Sequence, residues 1–225
     1  MEYRLRFGRK YPLNFLSHLE QIDMIRRIIR RSGLPVKYSS GFHPQLKISF
    51  GPAISVGYES EAEYIDIEFE NILDVISIAK AIEKQLPYGF YLIEVKKLSV
   101  IDIASIEQTA NLSEYWFKDE FIEELLKNKI EIEQTINKFL SQEKILIEKN
   151  KKNKIEIINV KPLIKDIKIF PQYISLFLRF DHKRNIKPEK IIQTIFNLEK
   201  DELNLINIVR KQLYHESPSG EISTL

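Results

Sequence analysis

The chain has 225 residues and a formal net charge of +2, is 44% hydrophobic and 29% charged, and contains no cysteine. That length and apolar content suit one large domain or two small ones with a buried core, and the composition is not that of a disordered protein. The missing thiol excludes disulfides, cysteine nucleophiles, thiolate zinc sites and any cysteine-ligated iron–sulfur cluster held by this chain.

Glu2 to Lys10 alternates, with Tyr3, Leu5 and Phe7 on one side and Arg4 and Arg6 on the other, which predicts a half-buried strand. No apolar signal region precedes it and no apolar run is long enough to span a bilayer, so a cytoplasmic protein with no membrane contact is expected. Ser17 followed by Glu20 is a capping-box pattern, Leu19, Ile22, Ile25, Ile28 and Ile29 form a helical apolar stripe, and Gly33 and Pro35 end the helix. Val36–Tyr38 and Lys47–Phe50 read as strand pieces interrupted by a Gly-Phe-His-Pro loop. A strand up to Phe69, a helix from Asn71 or Asp74 to just before Pro87, and a strand in "FYLIEVKKLS" follow. The order is βαββαβ, two helices on one face of an antiparallel sheet, the ferredoxin-like arrangement.

The pattern then recurs. "NLSEYWFKDEF" reads as a strand, "IEIEQTINKFLSQ" as a helix, and "KILIEKN" and "KIEIINVKPLIKDIKIF" as strands with an irregularity at Pro162. "YISLFLRFD" is a further strand, Pro188 opens a helix running to Leu198, and "NLINIVRKQLY" closes the set. The expected architecture is therefore α+β, with two tandem ferredoxin-like (βαββαβ) units over 1–100 and 101–225. Ser99–Ser105 reads as a linker, Asp181-His182-Lys183-Arg184 as a solvated connection and "SPSGEISTL" as a frayed tail.

Charge is unevenly distributed. Up to Phe50, Arg4, Arg6, Arg9, Lys10, Arg26, Arg27, Arg30, Arg31, Lys37 and Lys47 face only Glu2, Glu20 and Asp23. Such a segment either attracts phosphates or pairs with the acidic stretch that follows. Arg4 and Arg6 share one sheet face, and a basic face without helices could hold nucleic acid, with Tyr or Phe stacking on bases. The aromatic signature run of RNA-binding sheets is absent.

The distinctive stretch is "YSSGFHPQLKISFGP". Gly41 can take a positive φ and Pro44 restricts His43, so the imidazole is held among Ser39, Ser40, Lys47 and Ser49. The mix suits a phosphate or carboxylate, or else a turn whose side chains bond to their own backbone. Ser17 reads as an N-cap. His18, at a helix start, reads as a neutral imidazole or as a packed side chain. Arg4, Arg6, Ser17, His18, Ser39, Gly41, His43, Lys47 and Ser49 together form the expected anion or substrate pocket, with the loop returning to the start of the first helix. No phosphate-loop or dinucleotide fingerprint and no His-x-x-x-His pair exists, and neither a metal nor a cofactor is expected.

Phe15-Leu16-Ser17-His18-Leu19, Arg31-Ser32-Gly33-Leu34-Pro35, Tyr38-Ser39, Gly41-Phe42-His43-Pro44, Lys47-Ile48-Ser49-Phe50, Val56-Gly57, Glu59-Ser60 and Glu63-Tyr64 closely resemble the radical SAM-linked protein family, a bacterial domain of unknown function found alone or behind a radical SAM enzyme. The match is strong over the first third of the chain and departs at Gln45-Leu46, where a second imidazole or a proline is expected. The resemblance implies an accessory protein beside a separate radical SAM iron–sulfur enzyme, holding RNA or another phosphate-bearing substrate, and supplies no reaction. The tandem order is also similar to the repeat-associated RNA endonucleases of CRISPR systems, which cleave RNA with a histidine base and no metal. That alternative would employ His18 or His43. Their Gly-rich C-terminal loop is missing, since only Gly89 and Gly220 follow Gly57.

Overall fold

Tyr3, Leu5 and Phe7 are wholly buried, and they set the inner face of the first sheet. The computed structural model describes residues 1–99, 105–151, 154–180 and 186–225. The chain divides into two units, 1–110 with 214–225, and 111–213. Residues 100–104, most of the expected linker, and the 181–184 connection lie outside the described residues.

The first unit runs β1 (Glu2–Arg9), α1 (His18–Arg31), β2 (Ile48–Phe50), β3 (Glu59–Glu68), α2 (Val75–Glu83), β4 (Phe90–Lys97) and α3 (Ile106–Thr109). The strands lie in the order β4-β1-β3-β2, every neighbour antiparallel. Period two sends Tyr3, Leu5, Phe7, Ile65 and Ile67 to one face, where they pack against Met24, Ile25, Ile28 and Ile29 of α1 and Ile78 and Ile82 of α2. Burial on that scale contributes about 1.5–3 kcal/mol per large side chain. The Tyr3 hydroxyl keeps its polarity satisfied there, donating to the Leu73 carbonyl at 2.7 Å and accepting from the Leu73 N–H at 3.0 Å.

Helix α1 starts and stops where its sequence dictates. Ser17 Oγ accepts from the Glu20 N–H, and the Glu20 carboxylate accepts from the Ser17 N–H at 2.8 Å, both halves of a capping box. Gly33 takes φ +69, which a side chain would resist, just after the helix. The expected strand pieces around the loop are shorter. Only Ile48–Phe50 forms a strand, and Val36↔Phe69 and Tyr38↔Leu46 are isolated bridges.

The second unit runs β5 (Leu112–Lys118), α4 (Glu120–Leu126), α5 (Lys129–Ser141), β6 (Leu146–Lys151), β7 (Lys154–Asn159), β8 (Ile164–Phe170), β9 (Tyr173–Arg179), α6 (Pro188–Phe196), α7 (Lys200–Leu205) and residues 207–213 of β10 (Asn207–Glu216). Its sheet has the order β10-β5-β9-β8, and β6 and β7 form a separate hairpin.

Three expectations need correction. The strand expected through Phe121 stops at Lys118, because Asp119 accepts the Ile122 N–H at 2.9 Å and caps α4. Asn204 and Leu205, expected in the closing strand, belong to α7. The tail is not frayed: Ile222–Thr224 forms β11, which pairs antiparallel with Glu216, His215 and Tyr214 in the first unit. Pro162 falls, as its missing N–H requires, in a 3-10 turn that separates β7 from β8. The whole is a mixed α+β chain with mostly antiparallel sheets; among the described residues no helix is long and apolar enough to cross a membrane.

Candidate functional site

The loop Ser39–Gln45 is a short arm closed at its base by backbone pairing. The Ser39 N–H donates to the Gln45 carbonyl at 2.8 Å, and the Gln45 N–H donates to Ser39 Oγ at 3.0 Å. Gly41 sits at φ +133, a glycine conformation, and Phe42 beside it is wholly exposed. His43, Pro44 and Ser49 are exposed. Lys47 is paired: its Nζ donates to Glu68 Oε2 at 2.9 Å, while Lys37 donates to Oε1 of the same carboxylate. These two ammonium donors hold the Glu68 carboxyl down at about 2.

The arm does not return to the start of α1. Arg9 Nη1 donates to Leu16 O at 3.3 Å and to Gln21 Oε1 at 2.6 Å, so α1 begins at the Arg9 end of β1. The Lys37 N–H donates to Glu68 O at 2.8 Å, so the arm is rooted at Glu68, which pairs with Glu2 at the other end of β1. A strand of 8 residues separates the two ends, roughly 25 Å at ~3.3 Å per residue. Ser17 and His18 therefore share no pocket with Ser39, Gly41, His43, Lys47 and Ser49. The physical reason is that α1 runs antiparallel to β1, so the segment after it starts from the opposite end. His18 and His43 form no acid–base pair. His215 is elsewhere again, its Nδ1 donating to the Thr109 carbonyl at 2.9 Å. Among the described residues no group of three His, Asp or Glu is placed to hold a metal.

The arginines expected on an open face have protein partners. Arg4 donates to Asp66 with Nε at 2.8 Å and Nη2 at 2.9 Å, a bidentate pair between directly opposed residues of β1 and β3 that is 6% and 2% exposed. Arg6 Nε donates to the Glu61 carbonyl at 2.5 Å, and its guanidinium lies 5.7 Å from the centre of the Tyr64 ring. On the helix side, buried Arg9 is joined to buried Glu63 through Gln21, whose Nε2 donates to Glu63 Oε2 at 2.5 Å. Part of the basic first segment thus answers the acidic one inside this unit.

An aromatic surface that the sequence did not announce lies on the second unit. Ile174 and Leu176 of β9 are buried toward the helices, and Ile167 and Ile169 of β8 line a cavity of about 270 Å³ with Ile136 of α5. Their alternates occupy the other face of the sheet. There the Trp116 and Tyr173 rings stack at 4.2 Å between centroids, and Tyr173 stacks on Phe170 at 4.5 Å with planes 17° apart. Three rings from β5, β9 and β8 make one continuous stack. Lys211 Nζ lies 4.4 Å from the Trp116 ring centre and Lys168 Nζ lies 5.0 Å from that of Phe177. Glu114 orients the inner end, accepting from Trp116 Nε1 at 2.6 Å and from Ser175 Oγ at 2.8 Å. The signal in the sequence was the period-two placing of Trp116, Lys168, Phe170, Tyr173 and Phe177. Only the pairing of distant strands shows that these residues share one face.

The chain belongs to a family described as an uncharacterized protein conserved in bacteria (DUF2344), whose model matches residues 2–188. No curated protein matches it.

Proposed function

From membership of that bacterial family as the premise, we propose that this chain is a binding protein rather than a catalyst, and that RNA or another phosphate-bearing substrate is its ligand. The observation that carries the reading is the three-ring stack on one face of the second unit's sheet, flanked by Lys168 and Lys211. Rings accept bases whatever their sequence, and lysines at their edge neutralise the backbone that joins those bases. A role for His18 or His43 as the base of a metal-independent endoribonuclease is less well supported, since the fold sets them at opposite ends of β1.

Partnership with a separate radical SAM enzyme is proposed on the residue resemblance around Phe15–Leu19 and Gly41–Pro44. The wholly exposed Phe42 is compatible with a role of that arm in contacting a partner. The tandem ferredoxin-like reading is supported by the strand orders β4-β1-β3-β2 and β10-β5-β9-β8, in which the closing strand of each unit lies beside its first strand. Under this reading, the β6–β7 hairpin is an insertion in the second unit.

The test is anisotropy of a labelled mixed-sequence RNA pool titrated with the protein in chelator. The expected result is salt-sensitive binding that Lys168→Glu with Lys211→Glu abolishes, with the RNA left intact. No binding to any RNA in the pool would overturn the reading, and cleavage lost in His43→Ala or His18→Ala would replace it with the nuclease.

A further inference from the structure

The ring stack is open at one end. Trp116, at the inner end, has Lys211 against its ring and Tyr173 stacked on it, and Tyr173 is in turn covered by Phe170. Phe170 belongs to β8, the outer strand of the sheet, and is 36% exposed. It directly opposes Tyr173 across the turn at Pro171-Gln172, so its inner ring face is occupied, and among the described residues no strand of this sheet lies beyond it.

Resting on the RNA-binding reading, we infer that Phe170 is the stacking position for an unpaired base, which continues the Trp116–Tyr173–Phe170 stack outward, and that the ligand of this face is a single-stranded polynucleotide. An exposed ring can take a base only if the base is out of a duplex, because paired bases cover one another. Charge agrees with the choice. By strand alternation Lys118 and Arg179 share the face with Lys168 and Lys211, against two acids, Glu114 and Asp166. Glu114 is engaged by Trp116 and Ser175, and Asp166 lies 3.6 Å from Lys168. The excess is positive, which fits a phosphate backbone crossing the strands.

The alternative role for Phe170 and Tyr173 is to close the β8–β9 hairpin, and the experiment separates the two. The intact protein is titrated with a short oligo(A), a short oligo(U), the duplex of the two, and a proline-rich peptide as a competing ligand for an aromatic face. Phe170→Leu keeps apolar bulk for the hairpin but has no π-face; Phe170→Trp keeps both. The inference expects at least one single strand to bind and the duplex to bind much more weakly. It expects Phe170→Leu to lose roughly tenfold in single-strand affinity, in line with the stacking of one base, and Phe170→Trp to retain it, with unfolding temperatures unchanged in both. Duplex binding equal to single-strand binding, or a folded Phe170→Leu of unchanged affinity, overturns the stacking inference while the RNA-binding reading stands. Binding of neither RNA form, or of the peptide alone, overturns both.

Discussion

The carboxylate of Glu68 lies between the ammonium groups of Lys37 and Lys47, one oxygen to each, at the root of the exposed arm. Lys37 and Lys47 sit side by side because the Lys47 N–H donates to the Lys37 carbonyl at 2.8 Å, so the acid joins two cations that would otherwise repel. The folded carboxyl, held at about 2, is depressed below its ordinary value near 4.5. Its contribution is therefore fully present above pH ~4.5 and is lost as pH falls toward ~2. The three side chains are 31–46% exposed, so solvent screening limits the contribution to about 1 kcal/mol. Glu68→Gln should destabilise by that amount at neutral pH, and the gap from the parent should close on acidification through that window and in high salt. Chemical denaturation across pH checks it.

Arg4 and Asp66 make a second prediction. If the pair is structural, removing one partner leaves a buried charge, and Asp66→Ala should cost about 3–5 kcal/mol. Replacing both with apolar residues of similar volume should recover most of that loss. A double-mutant cycle by denaturant unfolding measures the coupling. RNA affinity in the folded double variant should match the parent.

Gly8 lies directly opposite Tyr91 in the β1–β4 register, and a Cβ at Gly8 would stand 2.2 Å from the Tyr91 ring. The ring rests on the bare glycine backbone, and it is partly exposed, so it can swing away. Gly8→Ala should cost about 1–3 kcal/mol through forced repacking. In a Tyr91→Ala background the same substitution should cost much less. Additive effects in the unfolding cycle would contradict the close approach.

Ser17 separates a cap from a ligand. Its hydroxyl accepts the Glu20 N–H and donates to Glu20 Oε2 at 2.7 Å, so its hydrogen-bonding role lies in the helix start. Ser17→Ala should cost about 1 kcal/mol of stability and leave RNA affinity unchanged. A loss of affinity at constant stability would return Ser17 to a binding site.

Local order was legible, and spatial direction was not. The stripe of Ile25, Ile28 and Ile29, the Ser17–Glu20 box and Gly33 specify α1 within its own residues. Where the arm points depends on α1 running back along β1, and nearness in sequence to His18 misled. Asp119 was missed because Phe121 falls in phase with Tyr115 and Phe117 and draws the strand pattern past it, and a cap is visible only from the helix that follows. Arg4, read as an open cation, found Asp66 through the β1–β3 register, a pairing between positions 62 residues apart. The aromatic face failed to appear for the same reason: Trp116 and Tyr173 each read as ordinary strand residues until β5 and β9 are laid side by side.

The chain has a single tryptophan, and Trp116 lies within the ring stack proposed to hold RNA. Its emission, followed with anisotropy of a labelled single-stranded RNA in the same titration, tests the location of the ligand directly. The account predicts that Trp116 fluorescence changes with the same midpoint as anisotropy, and that both midpoints move to higher concentration as salt is raised. Lys168→Ala should flatten that salt dependence by about 0.7 in log–log slope, the share of one phosphate contact on a single strand. RNA binding seen by anisotropy with Trp116 emission unmoved and the slope unaltered in Lys168→Ala would contradict it.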